Sequence, residues 1–106
     1  MTFDEYQEIA ETTAMYPLSY KVIYPTLGLA GEAGEVAEKI KKIIRSNVIS
    51  PWPEEDLKKE LGDVLWYISA IATDLGLSLE EIAETNIDKL KSRAERGKIQ
   101  GDGDNR

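Results

Sequence analysis

Leu29-Ala30-Gly31-Glu32-Ala33-Gly34-Glu35-Val36 and Leu57-Lys58-Lys59-Glu60-Leu61-Gly62-Asp63-Val64 are one pattern written twice, 28 positions apart. The echo continues through Ile40 and Ile68, then Ile43 and Ile71. At about 100° per residue, Leu29, Ala33, Val36, Ile40, Ile43 and Ile44 form one helical stripe. Leu57, Leu61, Val64, Ile68, Ile71 and Leu75 form the other. Glu32 and Glu60 fall at the edges of their stripes, and Glu35 and Asp63 lie roughly 60° further round. A single acidic pair at i, i+3 is usually solvated helix surface. The same pair at the same angle on two helices is a different matter. Helices packed through these stripes gather four carboxylates, which repel one another unless a cation sits among them. A hard cation with oxygen ligands, such as Mg²⁺, suits that donor set.

Outward from this pair, the chain predicts two further helices. Thr2-Phe3-Asp4-Glu5 is a capping box that opens a first helix, broken near Tyr16-Pro17. The second helix is clearest from Thr26 to Arg45, with Pro25 either in its first turn or kinking a helix begun near Tyr20. Asn47 to Pro53 is a connection. The third helix starts on the acidic turn Glu54-Glu55-Asp56 and stops at Gly76. Ser78-Leu79-Glu80-Glu81 is a second capping box, opening a fourth helix that ends near Gly97. Residues 1–97 therefore make one all-α, four-helix-bundle-like domain, and 98–106 a short, polar, mobile tail. Trp66 lies opposite its own stripe, which predicts a second packing surface such as a subunit interface.

Composition narrows the chemistry. The chain has 106 residues, 20 acidic and 13 basic, for a formal charge of −7. That size gives one small core, which homo-oligomerisation would complete. It lacks Cys and His, so a metal must be held by oxygen, and a base must be carboxylate, Lys, Tyr or water. A basic footprint for nucleic-acid polymers is missing. Apolar runs fall short of a membrane span, and no signal-peptide pattern is seen. A cytoplasmic protein is expected.

Glu32-x-x-Glu35 and Glu60-x-x-Asp63 resemble the E-x-x-E and E-x-x-D signature of the all-α nucleoside triphosphate pyrophosphohydrolases, and of the small MazG-type members in particular. The resemblance covers nearly the whole chain, including Gly28 to Val36, Glu60 to Tyr67 and the closing Gly101-Asp102-Gly103-Asp104-Asn105-Arg106. It departs at Gly31, where the fuller motif often has a Glu. It implies Mg²⁺, with Mn²⁺ as a substitute, held by the catalytic carboxylates Glu32, Glu35, Glu60 and Asp63. It also implies hydrolysis of ribo- or deoxynucleoside triphosphates to monophosphate and pyrophosphate, as in nucleotide-pool control.

On the fourth helix, Asn86, Lys89 and Arg93 fall within an arc of about 60°, beside Leu79, Ala83 and Leu90. Alone they are a snorkelling basic edge near a helix C-terminus. Beside a metal site they are the expected clamp for phosphate oxygens, and Asn-x-x-Lys-x-x-x-Arg resembles the same family's phosphate motif. Trp52 and Tyr67, with Trp66 and Tyr24, offer faces for a base, though most such aromatics are core. Lys39 is a salt-bridge partner for the acidic edge. A homodimer or homotetramer is expected. The rivals are a pyrophosphohydrolase for another phosphate ester, such as phosphoribosyl-ATP, and a non-catalytic helical interaction module.

Overall fold

The computed structural model describes residues 1–47 and 52–106, so the 48–51 part of the expected connection lies outside the described residues. Among the described residues four α-helices follow in order: α1 (Phe3–Glu11), α2 (Ile23–Ser46), α3 (Glu54–Asp74) and α4 (Leu79–Glu95). No strand occurs among the described residues, and the fold is all-α.

Local chemistry sets the boundaries. Thr2 and Glu5 form the expected capping box on α1. Pro25 sits in the first turn of α2, where its missing N–H removes a donor that has no helical partner. Glu54, Glu55 and Asp56 occupy the first turn of α3, beside the positive end of its dipole. Gly76 adopts φ +71°. It closes α3 through Gly76 N–H to Thr73 O and Leu77 N–H to Ala72 O, the paired bonds of a Schellman cap.

At α4 only half of the second box forms. Ser78 Oγ accepts from Glu81 N–H at 3.1 Å, but α1 supplies the remaining partners. Gln7 accepts from Leu79 N–H at 2.8 Å and donates to Leu77 O at 2.9 Å. Asp4 N–H donates to Glu80 at 3.2 Å, and Ser78 Oγ donates to Asp4 at 3.0 Å. The start of α4 is thus fastened to α1.

Between α1 and α2 the chain makes a short 3₁₀ turn (Leu18–Tyr20) and then a γ-turn centred on Val22, with Ile23 N–H bonded to Lys21 O at 2.7 Å. Val22 has φ +66° and ψ −49°, a strained conformation for a β-branched residue. The Asp74 carboxylate holds it by accepting from Val22 N–H at 2.9 Å and from the Tyr16 hydroxyl at 2.7 Å. No propensity or periodicity in the sequence signals this bend.

The dominant packing is α2 against α3, with α1 laid on α3 and α4 touching α1 and α3. Each stripe is only partly used. Val36, Ile40, Ile43, Leu57, Val64, Ile68 and Ile71 are half-buried, whereas Ile44, Leu61 and Leu75 stay more than half exposed. Trp66 turns outward as expected, but its cover comes from the same chain. Its indole N–H donates to Thr13 Oγ1, just beyond α1, at 2.8 Å.

The tail also differs from expectation, because it folds back on α4. The Arg106 guanidinium binds the carbonyls of Lys98, Ile99 and Gly103, and Arg93 binds those of Gly103 and Asp104. Short polar tails are mobile unless tied down, and Lys89, Arg93 and Arg96 tie this one to α4 and its C-terminal cap.

Candidate metal and nucleotide site

Glu32 on α2 and Glu60 and Asp63 on α3 meet across the helix pair. Each offers a carboxylate oxygen, and these oxygens lie within 4.8 Å of one another. Glu32 and Glu60 are half-buried and Asp63 is exposed. Glu35 is exposed and stands outside that trio, yet its charge still reaches Glu32. The Glu32 carboxyl is held above its ordinary range, first by desolvation, then by the charges of Asp63, Glu60 and Glu35, and by a hydrogen bond with Glu60. Lys39 approaches Glu60 at 3.8 Å, the salt-bridge role expected of it.

Thr13, just beyond α1, and residues one turn along α3 from Asp63 complete the surroundings. Thr13, Trp66 and Tyr67 line an open cleft of about 350 Å³ with Glu32 and Asp63. The Tyr67 ring meets Trp66 edge-to-face at 5.0 Å and lies so close to α2 that a methyl group on Gly28 would collide with it. Gly28 therefore lets an aromatic ring stand beside the carboxylates, a role that appears only once α2 and α3 are docked. Burial and then the Tyr24 phenol raise the Tyr67 pKa, with Glu32 and Asp63 adding to it. Burial and then Asp63 raise that of Tyr6. Both rings thus feel the acidic cluster. Trp52 lies at the entrance to α3 with Pro53, Glu54, Glu55 and Asp56, apart from this cleft.

The donor set fits a hard divalent cation. Three carboxylates on facing helices, repelling one another, would be relieved by a bound cation. Against that geometry, the family model described as MazG nucleotide pyrophosphohydrolase domain matches residues 25–97. The chain belongs to the MazG family. The match spans both acidic motifs and the basic stripe of α4, and leaves out α1 and the tail. The chain is also 46% identical to the Gene 37 protein of Mycobacterium phage L5, over the full length of both. No solved structure matches. Membership identifies a nucleotide pyrophosphohydrolase, a hydrolase acting on acid anhydrides. Among the described residues no helix is long and apolar enough to cross a membrane.

On α4 of this MazG domain, Lys89 and Arg93 share one partner. Lys89 Nζ is 3.0 Å from Asp104 Oδ1 and Arg93 Nη2 is 3.6 Å from it, which holds the Asp104 carboxyl below its ordinary range. Arg93 is only 5% exposed. The folded tail buries it. Asn86 borders an open groove with Leu77, Ser78, Glu81, Ile82, Thr85 and Lys89. About 14 residues of helix, some 21 Å, separate Arg93 from the fastened start of α4.

Proposed function

We propose that this protein is a Mg²⁺-dependent hydrolase of ribo- or deoxynucleoside triphosphates, releasing the monophosphate and pyrophosphate and serving nucleotide-pool control in the cytoplasm. The convergence of Glu32, Glu60 and Asp63 carries this reading. Those three carboxylates, with Glu35 one turn further along α2, would hold Mg²⁺, and Mn²⁺ would substitute. The bound ion would supply charge neutralisation at phosphate oxygens and a more acidic water. A carboxylate of the cluster would accept the proton of the attacking water. Tyr67, braced by Trp66 and admitted by Gly28, would flank the substrate beside the cluster.

Lys89 and Arg93, with Asn86, would bind phosphate oxygens. Their present hold on the Asp104 carboxylate supports the assignment, because a carboxylate is the nearest oxyanion the chain itself can offer. The hydrogen bonds that fasten α4 to α1 lie at the first turn of α4, far along the helix from Lys89 and Arg93. A second copy of the chain is the simplest way to bring such a stripe over a carboxylate cluster, in a homodimer or homotetramer. The exposed apolar residues along α2 and α3, Leu27, Ile44 and Leu61 among them, give that copy a surface to cover.

Turnover of a panel of canonical and modified nucleoside triphosphates with Mg²⁺, including phosphoribosyl-ATP, tests the proposal. Monophosphate and pyrophosphate from nucleoside triphosphates are expected. Diphosphate and orthophosphate, or turnover of phosphoribosyl-ATP alone, would overturn it.

A further inference from the structure

We propose that the cavity between α1, the Leu18–Tyr20 turn and α3 seats the nucleobase, with Ser69 and Lys21 as its specificity-determining residues. This deepens the function proposed above and rests on it. The cavity holds about 250 Å³, below the roughly 300 Å³ at which small-molecule pockets usually begin. It takes a planar heterocycle and leaves no room for the sugar and three phosphates. Its walls are apolar where rings would lie, from Ala10, Ala14, Ala70 and Trp66.

Polar groups with unspent hydrogen bonds stand around them. Ser69 is 1% exposed, and its hydroxyl has no hydrogen-bond partner. A buried hydroxyl without a partner is costly, and native structures seldom keep one without a use for it. Lys21, at the exposed rim, can donate, and the Glu11 carboxylate can accept. The far wall is braced by Asp74, which joins Tyr16 to the strained Val22. A strained backbone persists where the surrounding structure over-determines it, commonly at binding sites.

Position supplies the link to the carboxylates. Trp66 lines this cavity on one side and the Glu32–Asp63 cleft on the other, locked by its bond to Thr13. Tyr16 stacks on Tyr24 at 4.8 Å, extending the aromatic wall from the cavity toward α2. A nucleotide with its base in the cavity would pass Trp66 and present its phosphates to the cluster. Most of the lining on the α1 side precedes residue 25, outside the span shared with the family. Base preference is then set by this chain's own residues.

The test is calorimetric titration of non-hydrolysable α,β-methylene nucleoside triphosphates carrying each base, against inorganic triphosphate, with saturation-transfer NMR of the free nucleosides. Wild type should bind its preferred nucleotide at least about tenfold more tightly than inorganic triphosphate. Ser69→Ala and Lys21→Ala should each weaken that nucleotide about five- to tenfold, the cost of one hydrogen bond, and leave inorganic triphosphate unchanged. Ser69→Ala removes an unpaired hydroxyl, so it should melt at or above the wild-type temperature, and Lys21 is exposed; both variants should fold. Equal affinity for nucleotide and inorganic triphosphate in wild type, or unaltered nucleotide affinity in both variants, would overturn the cavity assignment while leaving hydrolysis standing. Nucleoside binding that Ser69→Ala abolishes, in a protein that hydrolyses no triphosphate, would keep the cavity and overturn the reaction.

Discussion

Glu32 is the residue on which the electrostatics of the site turn. Its folded pKa lies above the ordinary 4.5, so the folded chain binds a proton there more tightly than the unfolded chain does. Stability from this group is present at low pH and is lost as pH rises from about 4.5 through the raised folded value. Metal-free protein should therefore lose melting temperature over that window. Glu32→Gln should flatten the loss and melt higher than wild type at neutral pH, at the expense of turnover. Melting curves in chelator across a pH series check both. The meeting of Glu32, Glu60 and Asp63 was legible because helical periodicity fixes angles and the repeat fixed them twice, whereas Glu35, expected beside them, stands outside the trio. Ser69 and Gly28 were not legible. A serine or glycine on a helix says nothing of its surroundings until α1 covers one and Tyr67 leans on the other.

The elements were legible wherever backbone chemistry is local. The caps at Thr2 and Ser78, the proline of α2 and the glycine stops lie within a residue or three of the expected positions. Features that depend on distant partners were hidden: the γ-turn at Val22, the cover of α1 over Trp66 and the return of the tail. Arg93 follows from the last of these. Buried under the tail it grips, it is both an anchor and the proposed phosphate contact. Arg93→Ala should cost about 1–3 kcal/mol of stability, since it leaves the Asp104 carbonyl without its donor and the Asp104 carboxylate with Lys89 alone. It should also lower kcat/KM roughly ten- to a hundredfold. Arg93→Lys should recover only part of either, because an ammonium cannot span several acceptors as the guanidinium does. Denaturation and steady-state kinetics on the same two variants separate the roles. Unchanged kinetics would leave Arg93 as an anchor alone.

At the scale of the whole molecule, the fold is open. Its radius of gyration is 16.7 Å, where a compact chain of this length would have about 13 Å. Among the described residues, the fully buried larger side chains are Pro25 and Ser69, and the buried apolar core is three alanines and Leu79. So small a buried core leaves much stability to be gained by association. A second copy covering the unused halves of the α2 and α3 stripes would supply the missing burial. Sedimentation should find oligomer at micromolar concentration. Leu61→Lys, in the centre of the open stripe of α3 and 56% exposed, should shift it to monomer, lower the melting temperature and reduce turnover. A wild-type monomer that melts cooperatively and turns over fully would refute the composite site.

The central claim is that the carboxylates of α2 and α3 hold the divalent cation, and electron paramagnetic resonance of Mn²⁺ measures this without relying on turnover. Wild-type protein should bind Mn²⁺ and quench its free signal, with Mg²⁺ competing it away. Asp63→Asn, at an exposed position, should leave the helical circular dichroism intact and the Mn²⁺ free. Equal Mn²⁺ binding by wild type and Asp63→Asn, displaced equally by Mg²⁺, would contradict the assignment.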